Sequence, residues 1–394
     1  MSGRNSICAI IPTYNRAAML KESIDSVLAQ TQPVDQIVVV NDGSTDDTES
    51  VVKSYGDRVS LLNKQNGGKS SSVNMALGQV TADVVWICDD DDIAAPDAVE
   101  HLAPAMEADP ELNLCMGAYC SFRDKAEGRV FAPPVLCPIA EEPNIHLHYL
   151  EGMFTYQFAS LIRRQLFDHV GLLRTDIDRA ADYDMFMRMT RNMKAAYTPH
   201  ICFYQRQHDG MRGGSNNQIG PEQIIEKQLG YDKLLFVDVR KNYTLNDYTP
   251  TFARNWDTAR AQRSALLQKA CIFARHEMWD DAREDIAAAY KMSSSSLLPE
   301  EARLLRRVAK RAAPWEWRAI YKQLHDWLPN IRACRVENEF GQLLVYEACR
   351  PLVGHARWAL ENRDMHDFTL MTRLLISILG VHGASTRVLS SLVS

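Results

Sequence analysis

The sequence has no apolar run long enough for a membrane helix. The longest candidate, residues 368–381, contains Arg373 and is shorter than the roughly 18–20 residues that a membrane span requires. The first residues also lack the basic and apolar regions of a secretory signal peptide. These absences predict a cytoplasmic protein, attached to a membrane at most peripherally.

Paired cysteines and an excess of positive charge are missing as well. None of the nine cysteines forms a C-x-x-C pair; Cys115 and Cys120 are the closest two. This pattern argues against a disulfide framework or a cysteine zinc site and is typical of reduced, buried thiols. The net charge of −6 gives no reason to expect a nucleic acid partner. The remaining composition, 46% apolar and 24% charged over 394 residues, fits a globular protein of two or three domains.

Strands and helices alternate in the first 90 or so residues. Apolar runs predict strands, and amphipathic segments between them predict helices. This alternation predicts an α/β fold with a mostly parallel sheet flanked by helices. Ligands bind such sheets beyond the carboxyl ends of the strands, which here carry residues 12–15, 41–44 and 89–92. The predicted strands are 7–11, 36–40, 59–63 and 84–88, and the predicted helices are 17–30, 48–55 and 70–77.

The rest of the chain divides into two regions. From residue 221 onward, Leu, Ala, Arg, Glu and Trp recur at helical spacing. We therefore predict a first domain at 1–220 and an all-helical domain at 221–394. Between residues 97 and 220 we expect helices at 97–109 and 182–192, strands at 112–122 and 196–204, and loops at 130–150 and 209–220.

Two segments of the helical region have a distinctive composition. Residues 264–292 resemble a single tetratricopeptide unit, although an ordinary helical hairpin would show the same spacing. Residues 303–318 are basic with interleaved Leu, Val and Trp. Such a segment could lie on an anionic membrane surface, or it could be the solvated face of a core helix.

Four consecutive aspartates, Asp89 to Asp92, directly follow the predicted strand 84–88. Their carboxylates repel one another unless a cation offsets the charge, and Mg²⁺ and Mn²⁺ prefer such oxygen ligands. The alternative is an acidic turn without a ligand. At the neighbouring strand ends, Asp42 could accept a hydrogen bond from a uracil-like base and Tyr14 could stack on it. The N-D-G-S segment around Asp42 is also a good turn in its own right.

Five segments occur in a distinctive order: 10–16 (I-I-P-T-Y-N-R), 26–31 (S-V-L-A-Q-T), 38–48 (V-V-V-N-D-G-S-T-D-D-T), 66–74 (N-G-G-K-S-S-S-V-N) and 86–97 (W-I-C-D-D-D-D-I-A-A-P-D). Together they resemble the family 2 glycosyltransferases, whose nucleotide-sugar-binding domain has the GT-A fold. The resemblance spans roughly residues 5–215.

The resemblance implies a binding site for a nucleotide-sugar donor. Asp42 matches the acid that reads the base of the donor. Asp89 is expected to face the ribose or the sugar, with Asp90 in a lesser role. Lys69 could touch the donor or be an ordinary solvated lysine. The other positions implied for donor binding are Pro12 and Tyr14, which line the base pocket, and Asn74.

A metal site is implied by residues 89–91, which match the D-x-D motif. Asp91 is the expected direct ligand of Mn²⁺ or Mg²⁺, and Asp92 has no assigned role. Residues 204–215 (Y-Q-R-Q-H-D-G-M-R-G-G-S) resemble a second motif of the family. There His208 is expected to bind the metal or the diphosphate, and Arg206 or Arg212 to neutralise the departing phosphate.

A general base is implied by residues 180–188 (A-A-D-Y-D-M-F-M-R), in which Asp182 holds the position of the base. The sequence departs from the family pattern at Ala181, where an acid is usual. Asp182 could instead cap the following helix, and Asp184 is the alternative base.

The reaction implied is direct displacement with inversion at the anomeric carbon. A hexosyl or N-acetylhexosaminyl group would pass from a nucleotide-sugar, most simply a UDP-sugar, to a hydroxyl of a saccharide or lipid-linked acceptor. Synthesis of a bacterial surface polysaccharide or glycoconjugate is the expected context. Processive members of the family carry a Q-x-x-R-W motif, and the nearest match, residues 354–358 (G-H-A-R-W), lacks the glutamine, so the expected enzyme is non-processive.

Two alternatives remain. One is a catalytically silent nucleotide-sugar-binding or scaffold protein, suggested by Ala181 and the large helical region. The other is a sugar nucleotidyltransferase, which should show a glycine-rich basic loop after the first strand, where this chain has P-T-Y-N-R. The oligomeric state is not encoded in any motif.

Overall fold

A computed structural model describes residues 4–137, 139–140, 142–177, 179–207, 224–293, 296–309, 352–354 and 356–383. The chain divides into two compact units, Met1–Asp232 and Lys233–Ser394. The boundary predicted at residue 220 falls in 208–223, outside the described residues, and stays a prediction. No helix in the described part of the chain is both long enough and apolar enough to cross a membrane.

The first unit is built on one mixed sheet, whose strands run in the order β3-β2-β1-β4-β8-β6-β9-β5, with β7 paired to β6. Strands β1 to β4 are parallel, as predicted, whereas β8 runs antiparallel to both β4 and β6. The strands are β1 Ile7–Thr13, β2 Gln36–Asn41, β3 Ser60–Asn63, β4 Val84–Ile87, β5 Ile93–Ala94, β6 Leu114–Lys125, β7 Gly128–Phe131, β8 Ser160–Arg163 and β9 Ala195–Arg206.

Helices follow most of these strands and cover the sheet. The predicted helices and strands up to residue 125 and over 181–206 are confirmed, whereas the predicted loop at 130–150 contains the end of β7 and a short helix. The helices of this unit are α1 Ala17–Leu28, α2 Thr48–Lys53, α3 Lys69–Leu77, α4 Ala98–Ala108, α5 Ile145–Glu151, α6 Leu166–Val170 and α7 Ala181–Thr190.

The core of the first unit lies around β4, whose four residues are all buried. Trp86 is fully buried, and its indole Nε1 donates to the main-chain oxygen of Phe158 at 2.7 Å. The two rings meet edge to face at 5.5 Å. A buried indole needs such a partner for its N–H. The contact fixes the chain before β8 beside the strand that leads into Asp89.

The second unit is helical where it is described. Helix α8, Ile224–Asn242, crosses the boundary between the units. The helices that follow are α9 Thr258–Arg275, α10 Trp279–Met292, α11 Pro299–Leu305 and α12 Met365–Gly383. Helices α9 and α10 form a hairpin joined by residues 276–278, at the position of the predicted tetratricopeptide-like pair. Whether it is a tetratricopeptide unit stays a prediction. Most of the basic segment 303–318 lies outside the described residues, so its membrane contact also stays a prediction.

Candidate active site

The carboxyl ends of β1 and β2 are bonded to each other. The Asp42 main-chain N–H donates to the oxygen of Thr13 at 2.9 Å. Asn15 accepts at its side-chain oxygen from the Thr45 N–H at 2.7 Å, and its own N–H donates to Ser44 Oγ at 3.0 Å. These bonds hold the half-buried Tyr14 in the loop next to Asp42. The first two predicted loops therefore form one surface.

Pro12 lies inside β1, opposite Val40 of β2. The main-chain oxygen of Ile10 accepts from Cys88 on the other side, and alternate residues of a strand face the same neighbour. The main-chain nitrogen of Pro12 therefore points towards β4, which has already ended at Ile87. Its missing N–H costs no sheet hydrogen bond there.

The Asp42 carboxylate lies at the bottom of a small cradle. Asp42 is 3% exposed, and its Oδ1 accepts from Lys64 Nζ at 2.5 Å and from the Gly67 N–H at 3.0 Å. Its Oδ2 accepts from the Gly68 N–H at 2.7 Å. The main chain after Asp42 passes close to that of Asn66, and this requires glycine at position 43. The φ of Gly43 is +79°, and an added Cβ would lie 2.9 Å from the main-chain nitrogen of Asn66.

Two cationic side chains offset part of the negative charge of residues 89–92, the aspartate loop. Arg16 Nη1 donates to Asp90 Oδ1 and to Asp91 Oδ2, each at 2.8 Å. Lys69, the first residue of α3, pairs with Asp89. Sequence reasoning did not single out Arg16, although it stands in the P-T-Y-N-R segment at the end of β1.

The four aspartates differ in their surroundings. Asp90 and Asp92 are buried, whereas the side chains of Asp89 and Asp91 are 25% and 18% exposed. Burial raises the pKa of Asp90 to about 6, with Arg16 opposing the rise and Asp91 adding to it. Burial, Asp91 and Asp89 also raise the pKa of Asp92 well above its usual value, although the Arg206 N–H, 2.7 Å from Asp92 Oδ1, lowers it. The more exposed pair is the one predicted to meet the donor and the metal.

Arg206 supports the aspartate loop from β9. Its Nε donates to the main-chain oxygen of Asp91 at 2.9 Å. Its guanidinium pairs with Glu22 and Asp124 and stacks on the Phe122 ring, 4.8 Å from the ring centroid. The side chain is only 7% exposed. In this arrangement Arg206 braces the loop, and the contact with a departing phosphate predicted for it stays a prediction.

Asp182 is the second residue of α7, and its carboxylate interacts electrostatically with Asp89 of the aspartate loop. Burial raises the pKa of Asp182; Lys69 opposes the rise and Asp89 adds to it. The helix starts after Ala180, whose φ of +63° is unusual for a residue other than glycine. Such backbone strain costs about 1–3 kcal/mol and is frequent at functional sites.

Asp182 and Asp184, the two acids of residues 180–188, have different partners. Asp182 Oδ1 accepts from the Tyr183 N–H at 2.9 Å, so its carboxylate does serve the start of the helix. Asp184, the alternative base, is 9% exposed and pairs with Arg188 at 2.8 Å. Asp184 is therefore engaged by Arg188, whereas Asp182 interacts electrostatically with Lys69 and Asp89, and the role of Asp182 as the base stays a prediction.

Comparison with known proteins identifies the domain that carries Asp42 and the four aspartates 89–92. The sequence model of the family "Glycosyl transferase family 2" matches residues 8–171. Residues 8–171 are a glycosyl transferase family 2 domain. The mixed sheet with its flanking helices is the GT-A fold that the sequence predicted.

The relatives of this glycosyltransferase domain differ in length. An uncharacterised glycosyltransferase of Rickettsia typhi is 27% identical over 257 residues, covering 63% of this chain and 80% of that protein. A second, from Rickettsia felis, is 32% identical over 51% of this chain and 34% of its own length. The hyaluronan synthase of Pasteurella multocida is 30% identical over 227 residues. The match covers 57% of this chain and 21% of that protein.

Among solved structures, residues 1–349 of TarS from S. aureus in complex with UDP-GlcNAc match with a TM-score of 0.48 and 18% identity. The match covers 86% of this chain and 90% of that one.

Asn74 makes a contact within the first unit. Its side-chain amide donates to the main-chain oxygen of Leu173 at 2.8 Å and accepts from the Leu173 N–H at 3.0 Å. The pair ties α3 to the loop that leads to α7. The donor contact predicted for Asn74 stays a prediction, as do the roles of His208 and Arg212, which lie outside the described residues.

Lys64 and the amides of Gly67 and Gly68 are site groups that sequence reasoning did not single out. All three contact the Asp42 carboxylate. The signal that could have found the two amides is the N-G-G-K segment at 66–69, because paired glycines allow main-chain N–H groups to approach a ligand or an acid closely.

Proposed function

We propose that this chain is a metal-dependent, inverting and non-processive glycosyltransferase. It moves a sugar from a nucleotide-sugar, a UDP-sugar in the first instance, to a hydroxyl of a saccharide or lipid-linked acceptor. The observation that carries the proposal is the position of Lys69, which pairs with Asp89 and interacts electrostatically with Asp182. One lysine thereby interacts with both the expected donor side and the expected base of the reaction.

The donor base would bind in the Asp42 cradle. A carboxylate offers about four lone-pair sites, and Asp42 accepts three hydrogen bonds from Lys64, Gly67 and Gly68. One site remains for the imide N–H of a uracil-like base. Tyr14 lies in the neighbouring loop, where its ring can cover the same base. Discrimination among bases then depends on a hydrogen bond to a buried acceptor, which is an effective way to reject a wrong base.

The chemistry of the aspartate loop fits a hard dication. Asp91 and Asp89 offer carboxylate oxygens, the ligands that Mg²⁺ and Mn²⁺ prefer, at the more exposed side of the loop. Asp91 would be the direct ligand. The ion would supply positive charge to the diphosphate of the leaving nucleotide. Arg16 and Arg206 position the loop by holding its carboxylates and its main chain.

Asp182 would accept the proton of the acceptor hydroxyl. Its raised pKa makes it a stronger base than an ordinary aspartate. Lys69 limits that rise and helps to keep Asp182 ionised. The oxygen of the acceptor attacks the anomeric carbon as the bond to the nucleoside diphosphate breaks, which inverts the configuration. A saccharide product is supported by the relatives named as hyaluronan and chondroitin synthases of Pasteurella multocida.

The test measures turnover of UDP-, GDP- and dTDP-sugars by the full chain with Mn²⁺ or Mg²⁺. We expect Asp91→Asn to lower donor turnover by about 10²–10³-fold. Asp182→Asn should lower transfer by about 10²–10⁴-fold while the affinity for the free nucleotide stays near that of the wild type. The matched control is Glu49→Gln, an acid on the surface of α2 that pairs with Lys53.

Each outcome separates one part of the proposal from the rest. Donor binding without turnover of any sugar would favour the silent binding protein. Formation of a nucleotide-sugar from a sugar phosphate would favour the nucleotidyltransferase. Retained transfer in Asp182→Asn would contradict only the assignment of the base, and an anomeric configuration retained in the product would contradict direct displacement.

A further inference from the structure

Away from the proposed donor site, the fold brings one aspartate and two histidines together between α4 and β9. Strands β5 and β9 are antiparallel, with Ile93 opposite Tyr204 and Ala94 opposite Phe203. Continuing that register along the chain places Asp97 opposite His200. Asp97 directly precedes α4, and His101 lies four residues further along, on the same face of the helix. Three side chains that are distant in sequence therefore converge on one point.

This cluster is separate from the aspartate loop. His200 precedes Arg206, whose Nε contacts Asp91, by six residues on β9. At about 3.3 Å per residue, the strand separates the two places by up to roughly 20 Å. No group of the proposed sugar transfer uses Asp97, His101 or His200.

The spacing of the three side chains suits a metal ion. His200 Nε2 lies 3.0 Å from Asp97 Oδ1, and His101 Nε2 lies 3.5 Å from Asp97 Oδ2. All of the potential ligand atoms lie within 4.8 Å of one another. In a tetrahedral zinc site with bonds of about 2.0–2.1 Å, ligand atoms are about 3.3 Å apart. The two distances lie on either side of that value.

The kind of ligand determines the kind of ion. Imidazole nitrogens suit Zn²⁺ and neighbouring transition-metal ions, whereas carboxylates alone suit Mg²⁺, Ca²⁺ and Mn²⁺. The ligand must also be in the right protonation state. The hydrogen bond from His200 Nε2 lowers the pKa of Asp97, so the carboxylate is ionised and able to act as a ligand. An ion that binds His200 Nε2 replaces this hydrogen bond and releases the proton of that nitrogen to solvent.

We propose that Asp97, His101 and His200 bind a transition-metal dication, with Zn²⁺ as the ion to test. The three side chains are 29–44% exposed, so an ion can enter from solvent and water can complete its coordination. Binding requires a small rearrangement. The two imidazole rings are stacked, 3.5 Å between centroids and 22° between planes, and must splay for both nitrogens to point at one ion. The ion would link the start of α4 to β9.

The experiment titrates Zn²⁺ and, separately, Mg²⁺ into the tag-free, chelator-treated full chain by calorimetry. We expect a Zn²⁺ site that Mg²⁺ does not fill. Removing a ligand should weaken it at least about tenfold in His101→Ala and in His200→Ala, by comparison with the 10–100-fold effect of losing a group that merely supports a ligand. Zn²⁺ should also raise the melting temperature of the wild type more than that of either variant.

Three further variants make the test specific. Asp97→Asn keeps the shape of a side chain that makes no capping hydrogen bond to α4, and should also lose the site. His169→Ala removes an exposed histidine of α6 and should bind Zn²⁺ as the wild type does. Asp91→Asn alters the aspartate loop and should leave the site intact. Circular dichroism shows whether each variant is folded, and His101→Gln replaces His101→Ala if the latter is not.

Two results would overturn the proposal. One is a Zn²⁺ affinity that is unchanged in His101→Ala or in His200→Ala, which would make the cluster a hydrogen-bonded ion-pair network only. The other is a Zn²⁺ site that disappears in Asp91→Asn, which would assign the ion to the aspartate loop. Neither result depends on whether the chain transfers a sugar.

Discussion

At the scale of single residues, Lys69 joins the two sides of the proposed reaction. Its ammonium pairs with Asp89 and opposes the rise in the pKa of Asp182 that burial causes. Desolvation disfavours the charge of Lys69, but Asp89 and Asp182 outweigh it and raise the lysine pKa. Lys69 therefore stays charged, and the protonation of Asp182 depends on it.

Replacing this charge predicts a measurable change in pH dependence. In Lys69→Met, the cation that lowers the pKa of Asp182 is gone while burial and Asp89 still raise it. The acid limb of the pH profile of kcat/KM should therefore move to higher pH, since the base must be deprotonated to act. Loss of the charged contact should also lower kcat/KM by about ten- to a hundredfold at neutral pH.

The control for this prediction is Lys53→Met, because Lys53 forms an exposed pair with Glu49 on α2. Its pH profile should coincide with that of the wild type. An acid limb of Lys69→Met that stays in place or moves to lower pH would show that the group titrating in that limb is not Asp182.

Residue contacts were the least predictable part of the site. Arg16 and Asp90 are 74 residues apart in the sequence, and Lys64 and Asp42 are 22 apart. Neither pair can therefore be predicted from local sequence spacing. Their partners are set by the sheet, which brings separate strand ends to one edge. The aspartate run itself was predictable as a site because four adjacent carboxylates have no favourable place in an apolar strand.

At the scale of elements, the loop between α6 and α7 is held by α3. Asn74 makes two hydrogen bonds to the main chain of Leu173. Arg188 of α7 donates to the main-chain oxygens of Gly171 and Leu172, at 3.3 and 3.0 Å. Residues 171–173 of the loop before α7, the helix that carries Asp182, are therefore held by both α3 and α7.

Removing the tether should affect the chemical step more than donor binding. Asn74→Ala leaves both main-chain groups of Leu173 without these partners, at a cost of about 1–3 kcal/mol in the free energy of unfolding. We expect kcat to fall by about tenfold or more, since a displacement of the base of even 1 Å is costly. The affinity for UDP, measured by calorimetry, should change little because the Asp42 cradle does not include Asn74.

Asn66→Ala is the matched comparison, since the Asn66 side chain donates to the main-chain oxygen of Asp42 at 3.0 Å. This variant should show the opposite pattern from Asn74→Ala: its UDP affinity should be weaker, and its kcat should change less. An equal loss of UDP affinity in both variants would mean that Asn74 acts on the donor, as the sequence first suggested.

Elements were predictable where their pattern is local. The strands β1 to β4 and the helices between them were found from alternating apolar and amphipathic segments, and a strand at 196–204 was also predicted where β9 lies. Strand β8 was not found. It has four buried residues, a pattern that a buried helix segment can share, and it pairs with β4, whose sequence is about 75 residues away. The antiparallel orientation of β8 is set by that distant pairing.

At the scale of the whole molecule, each unit has its own buried interior. In the second unit, Arg263 of α9 and Glu301 of α11 form an ion pair at 2.8 Å, with side chains 5% and 1% exposed. Ser264 Oγ and the Leu298 N–H also donate to the Glu301 carboxylate, each at 3.0 Å. A buried pair satisfied in this way specifies how α11 meets α9.

Breaking this pair tests whether the two units are energetically independent. Glu301→Ala removes the carboxylate that pairs with the buried Arg263 guanidinium, and breaking a buried ion pair costs about 3–5 kcal/mol. We expect faster hydrogen exchange at amides of α9, α10 and α11 in the full chain. Amides of β1, β2 and β4 should keep their protection, and the UDP affinity should stay within about twofold, because every described residue of the donor site belongs to the first unit.

Glu300→Ala, which removes the neighbouring and more exposed pair with Arg303, should change neither region. Equal loss of protection in the sheet and in the helices would show that the chain unfolds as one cooperative structure, and the helical unit would then contribute to donor binding through stability.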